Sequence, residues 1–124
     1  MTTPSTTTYS RGDVVLVPFL FTDRAAFKTR PAVVVSSDVY HVGRREVIIA
    51  AVTSRIRQPL MPGDHLIGRW RESGLPKPSV ATAILRTVKR AMIARRLGAL
   101  AAPDLRAVDA RLAEALALRA NSYS

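Results

Sequence analysis

The chain has 124 residues, 48% of them hydrophobic, and a formal net charge of +10. This length suits one domain around one core, and the apolar content excludes a chain that stays mostly unfolded. No apolar run approaches the roughly 20 residues of a membrane span, and the lack of cysteine excludes disulfides and thiolate metal sites and fits a reducing, cytoplasmic setting.

The opening "MTTPSTTTYS" has no basic region followed by an apolar stretch, so a disordered tail over residues 1–9 is expected rather than a secretory signal. A single domain is expected over residues 10–120. "GDVVLVPFLF" (Gly12 to Phe21) reads as a strand, with Pro18 marking a bend or an edge. "TDRAAFKT" reads as a polar connection, and "PAVVVSS", from Pro31, as the second strand. "DVYHVGRR" reads as a loop turning at Gly43. "EVIIAAVT" (Glu46 to Thr53) is rich in β-branched residues and reads as a third strand. "SRIRQPLMPGD" and "RESGLPKP" carry the proline and glycine of loops, with a short strand expected in "HLIGRW" between them. "SVATAILRTV" (Ser79 to Val88) is a fourth main strand, and "KRAMIARRLGAL" reads as a turn-like segment. "PDLRAVDARLAEALALR" sets Leu105, Val108, Leu112 and Leu116 at helical spacing behind Pro103, which suits a first turn. Short strands followed by one helix predict a mainly β, antiparallel barrel closed or covered by a C-terminal helix.

An excess of ten positive charges on a small domain points to a polyanionic partner: nucleic acid, a membrane surface or an acidic protein. The competing source is composition, because the basic residues are mostly arginine and alanine is abundant. The nine acidic residues are scattered singly, and "HExxH" is absent, so metal-dependent nuclease chemistry is not expected.

In order along the chain stand "RGDVVLVPFLFTD", "KTRPAVVVSSDVY", "IIAAVTSRIR", "GLPKPSVATAILRTV" and "IARRLGAL", then the terminal helix. Together they resemble the PemK/MazF family of type II toxin–antitoxin toxins over about residues 10 to 118. The resemblance implies an SH3-like (MazF/CcdB-type) antiparallel β-barrel with a C-terminal α-helix, usually a homodimer. It implies a sequence-specific endoribonuclease that cuts single-stranded RNA without metal or other cofactor. It also implies a cognate antitoxin whose disordered acidic tail lies across the active groove.

That chemistry needs a group to take the 2′-hydroxyl proton, one to stabilise a charged phosphorane and one to protonate the leaving oxygen. Arginine suits the second task through its planar, permanently charged fork. Arg30 matches the family arginine before the "PAVV" strand, Thr53 the threonine closing the third strand, and Ser54 stands beside it; these are the candidate catalytic residues. Pro31 restricts the residue before it to extended geometry, which holds Arg30 in place. Arg24, Lys28, Arg55, Arg57, Lys77, Ser79 and Arg86 are the candidate RNA-binding residues. Phe19, Phe21 and Phe27 lie near the same end by sequence, and Trp70 reads as structural or as part of a dimer interface. His41 and His65 match no catalytic position and read as solvated.

The fourth strand departs from the family pattern "S-V-x-x-A-D-Q-x-R-T". Here "SVATAILRT" is one residue shorter and has no acid. Arg86 and Thr87 match the "R-T", while Ile84 and Leu85 stand where the polar pair would be. In this, and in the "VPFxFTD" opening, the chain resembles a branch of the family with a shortened motif. Asp23 is a candidate replacement acid, with an Asx-turn residue as the competing reading. Two further functions stay open: a gyrase-poisoning toxin of the related CcdB type, acting on DNA metabolism without nuclease activity, and a non-catalytic RNA-binding barrel.

Overall fold

The apolar runs of the sequence become the strands of a single sheet. In the computed structural model residues 8–21 and 26–119 are described, with the backbone alone at 19–21, 26 and 27. The strands are β1 (Asp13–Phe21), β2 (Ala26–Val34), β3 (Glu46–Thr53), β4 (His65–Leu66), β5 (Val80–Lys89) and β6 (Arg95–Ala99). Two helices accompany them: a single turn, α1 (Asp38–His41), and the C-terminal α2 (Ala102–Leu116). The sheet is antiparallel, in the order β4-β5-β3-β2-β1-β6, and curls into a half-barrel.

Continuous runs such as "VVLV" and "AVVV" occur because both faces of the sheet are covered. One face packs Val14, Val33, Val52, Ile67, Leu75, Ala81 and Leu100 against Val108 and Leu112 of α2. The other packs Val15, Val17, Ala32, Val34, Val47 and Ile49 beneath Tyr9 and Ile93. Fully burying one such side chain is worth about 1.5–3 kcal/mol relative to leaving it exposed. A one-residue slip would exchange the two sets, so register is strongly specified. Tyr9, in the stretch expected to be tail, is 7% exposed and belongs to this second core. Residues 1–7 lie outside the described residues.

Four expectations change. β2 begins at Ala26 rather than at Pro31, because Ala26–Arg30 pair with β1 in a hairpin running from Phe21–Ala26 to Val14–Val33. "DVYH" forms a helical turn instead of a loop, as the Ser37 side chain accepts the Tyr40 N–H at its N-terminus. The segment expected as turn-like holds a 3-10 turn, Arg90–Met92, and then β6, which pairs with β1. Its sequence, "RRLGA", has no apolar alternation, and its extended form is imposed by the edge of β1. Leu116, expected on the buried face of α2, is 50% exposed at the last position of the helix.

Two contacts join the ends of the curled sheet. Gly74 and Gly98 let two backbones touch: a Cβ at Gly98 would meet the Ser73 carbonyl, and one at Gly74 the Leu97 carbonyl. Asp104, buried in the first turn of α2, accepts hydrogen bonds from His65 Nε2 (2.8 Å), Gly68 N–H (2.8 Å) and Arg69 N–H (2.9 Å). Burial pushes this carboxyl up. The hydrogen bonds from His65, Gly68 and Arg69, helped by the charge of His65, outweigh burial and hold it below its ordinary value. The carboxylate thus ties β4 and the following turn to α2.

Candidate nucleic-acid interface

Backbone direction in β2 explains where the sheet opens. Val35 donates its N–H to the Ile48 carbonyl of β3 (2.9 Å), whereas the Val34 carbonyl accepts from Gly12 on the other side (2.7 Å). Alternation therefore turns the amides of residues 33 and 31 toward β3. Residue 31 is proline and has no N–H to give. The β2–β3 pairing, Val34–Ile49, Val33–Ala50 and Ala32–Ala51, stops there. The same register continued two places sets Arg30 opposite Thr53, at the point where the strands are no longer bonded. Pro31 thus does more than restrict Arg30. It ends the ladder beside it.

Arg30 is exposed and faces Val17 of β1 in register. It shares a sheet face with Ala32 and Val34, two and four residues on. Thr53, half-buried at the end of β3, pairs with Val80 of β5. Val52 and Ala81 belong to the α2-covered face, so Thr53 points to the opposite one, with Arg30. Thr53 Oγ1 accepts the Arg55 N–H (3.0 Å), which leaves its own proton available to an outside acceptor.

Around this pair the end of the sheet gathers Lys28 on β2, Ser54, Arg55 and Arg57 in the loop after β3, and Lys77 before β5, all exposed. Arg86 lies opposite Ile49, on the same face as Arg30 and Thr53 but four residues up the strand from that row, about 13 Å away. Ile84, at the position of the missing acid, stands between them and is 58% exposed. Ser79 does not join the surface: it is 3% exposed and its hydroxyl donates to the Lys77 carbonyl (2.8 Å). Asp23 and Arg24 lie outside the described residues, as do the side chains of Phe19, Phe21 and Phe27. Trp70 packs partly buried against the α2 side of the core, with Arg71 over its ring, as a structural residue does.

Neither histidine is solvated. His65 is held by Asp104, and the His41 ring, 10% exposed, bonds Ser36 Oγ at 2.6 Å. The sequence signal overlooked here was "SSDVYH": a serine cap on a short turn carries the sixth residue back beside the first. Among the described residues no group of three or more His, Cys, Asp or Glu is placed to hold a metal ion, and no helix is long and apolar enough to cross a membrane.

The fold class is shared with solved toxins. A mycobacterial endoribonuclease solved in complex with its cognate antitoxin matches with a TM-score of 0.74 at 18% identity, covering 92% of this chain and 100% of that one. The Mycobacterium tuberculosis toxin MazF-mt6 matches at 0.70 and 20% identity, over 87% of this chain and 99% of that one. A MazE–MazF structure from Deinococcus radiodurans matches at 0.70 and 23%, over 90% of this chain and 98% of that one. No curated protein sequence matches the chain. The family model for PemK-like, MazF-like toxins of type II toxin–antitoxin systems matches residues 10–116, and the chain belongs to that family.

Proposed function

We propose that this toxin is a metal-independent, sequence-specific endoribonuclease acting on single-stranded RNA at the row formed by Arg30 and Thr53. The single observation that carries this reading is the open end of the β2–β3 ladder. There a fixed arginine and a threonine with a free proton face each other at a basic rim. The 2′-oxygen attacks the adjacent phosphorus, the bond to the 5′-oxygen breaks, and the products are a 2′,3′-cyclic phosphate and a 5′-hydroxyl. Arg30 stabilises the negative charge that develops on the phosphorane, where it counts toward rate rather than binding. Thr53, supported by Ser54, donates to a non-bridging oxygen. Asp23 is the candidate to accept or return the proton. Lys28, Arg55, Arg57, Lys77 and Arg86 hold the flanking phosphates, together with Arg24.

The toxin acts as a homodimer and is neutralised in the cytoplasm by an antitoxin whose acidic tail covers this rim. The family and the antitoxin-bound mycobacterial neighbour support the antitoxin as a partner. A second reading, a non-cleaving RNA-binding barrel, is favoured by Ile84 at the position of the family acid.

The test is incubation of purified protein with a long RNA in EDTA, followed by mapping of 5′ ends. Discrete cuts bearing 5′-hydroxyls, lost in Arg30→Ala, are expected. Intact RNA from folded, antitoxin-free protein would favour the second reading.

A further inference from the structure

Two exposed apolar side chains stand beside the Arg30–Thr53 row, and strand pairing puts them on its face. Leu66 of β4 faces Val80 of β5, and Val80 faces Thr53 of β3, so the three lie side by side. Val80 is buried, whereas Leu66 is 43% exposed. Ile84 reaches the same face through a bulge in β5. Leu85 faces Ala50 and Ala81 faces Val52, so Thr82, Ala83 and Ile84 together oppose Ala51. Ala83 packs against the α2-covered core, which turns its neighbour Ile84 to the other face, 58% exposed.

The bulge is held by its own hydrogen bonds. The Thr82 hydroxyl donates to the Ala51 carbonyl (2.8 Å) and accepts the Ile84 N–H (3.1 Å). The strand between Val80 and Ile84 therefore has no hydroxyl proton to offer a ligand. Bulges beside functional sites re-aim a side chain, and the one re-aimed here is a large aliphatic group set toward water. From strand spacing and rise, the backbones at Thr53, Leu66 and Ile84 stand about 8–10 Å apart around Val80. That spacing suits the face of a single nucleobase.

The charge around this apolar patch selects its occupant. Lys28, Arg55, Arg57 and Lys77 rim this end of the sheet, and exposed Arg86 lies two residues beyond Ile84. A second copy of this chain would bring the same cations and a net charge of +10 against them. A neutral apolar ligand would do nothing for the surrounding charge. A single-stranded nucleic acid meets both demands: its phosphates are anionic, and every base is apolar on its face and polar only at its edge. The lost acid fits the same picture. A carboxylate at position 84 accepts from particular base edges, whereas isoleucine contacts the face of any base.

We infer that Ile84 and Leu66, above Val80, seat the face of one unstacked base of the bound strand, next to the phosphate that Arg30 and Thr53 engage. Resting on the reading of this chain as a toxin that cuts single-stranded RNA, the assignment makes this nucleotide one recognised by contact and tolerant of base identity. Splayed bases of single-stranded RNA are commonly bound in this way, on a side-chain platform. The seat is aliphatic, so its effect on affinity is about five- to tenfold, the lower end of what a base stacked on an aromatic ring contributes.

The test uses the full chain and two probes of equal length and charge. One is a short 2′-O-methyl RNA, which lacks the attacking hydroxyl and stays intact; the other is the same sugar–phosphate chain without bases. By fluorescence anisotropy, wild type should bind the RNA at least about fivefold more tightly than the abasic chain. Ile84→Asn and Leu66→Ser, both at exposed positions, should each lower that ratio and leave abasic affinity unchanged, because the phosphate contacts remain. Ile84→Leu should keep the ratio. A ratio near one in wild type, or the wild-type ratio in both polar variants, would overturn the seat. So would two other results obtained with the ratio intact: a changed sedimentation mass in Ile84→Asn, which assigns the patch to a second copy, or binding of a leucine-containing glutamate-rich peptide that Ile84→Asn abolishes, which assigns it to an acidic peptide. If RNA with native ribose is left uncut, the nuclease reading fails, and the ratio still decides the seat by itself. If RNA is cut and the ratio does not respond to the variants, the seat alone fails.

Discussion

Replacing Asp104 by alanine should cost the fold about 3–5 kcal/mol. The carboxylate accepts three hydrogen bonds of 2.8–2.9 Å, two of them from backbone amides of the turn after β4. Hydrogen bonds to a charged group contribute about 1.5–3 kcal/mol each, but three donors sharing one acceptor do not add. Once the turn loosens, water can reach the amides. The expected loss is therefore that of breaking one buried charged cluster, about 3–5 kcal/mol. That is a large share of the roughly 5–15 kcal/mol that holds a domain folded. Asp104→Asn keeps the shape and one acceptor oxygen and should lose about 1–2 kcal/mol. The assay is urea unfolding at neutral pH, read as a shift in midpoint at constant slope. Acid adds an independent readout. The carboxyl titrates below its ordinary value of 3.8 in the folded chain, so its contribution is complete above that value and is lost as pH falls through the lower folded value. Wild type should lose stability over that window, and Asp104→Asn should lose less. A shift below about 1 kcal/mol for Asp104→Ala, or parallel acid curves for wild type and Asp104→Asn, would refute the latch.

Pro31→Ala supplies an amide facing β3; that new amide should be protected from hydrogen exchange, and RNA cleavage should fall as the ladder closes over Arg30. Fast exchange there with unchanged cleavage would count against the ladder stop. Thr53→Val keeps the shape and removes the hydroxyl, and should slow cleavage by about 10²-fold, the typical effect of losing one transition-state donor, in single-turnover assays. Gly98→Ala sets a Cβ against the Ser73 carbonyl and should destabilise by about 1–3 kcal/mol, as overpacking does, by thermal melt. RNA affinity should fall with salt at a log–log slope of about −0.7 per neutralised phosphate. Lys28→Ala should make that slope shallower by about one such step without changing the cut sequence.

Much of the candidate site could be read in the chain because its carriers sit on elements with strong local signals. Arg30 abuts an apolar run, and Thr53 ends a β-branched one whose bounds, Glu46 to Thr53, are those observed. Pro31 was legible as a restraint on Arg30. Its second role, ending the ladder, depends on which way the residue 31 amide faces, and pairing with a distant strand decides that. Ser79 looked like a surface hydroxyl from its loop neighbours. Only the folded backbone showed it buried against the Lys77 carbonyl.

The sequence by itself determined that the chain is mainly β with one amphipathic C-terminal helix. Apolar runs, proline and glycine punctuation and helical spacing are properties of residues a few positions apart. Tertiary structure decided the rest. β6 is a strand because β1 offers it an edge, although "RRLGA" carries little strand signal of its own. The first half of β2 is a strand because β1 folds back on it. His65 and Asp104 meet across 39 positions, and a cleft lined by Tyr9, His41, Val47 and Arg90 forms where the N-terminal segment, α1, the start of β3 and the 3-10 turn converge. Each of these depends on which groups remain unpaired after the sheet has curled, and no window along the chain contains that information.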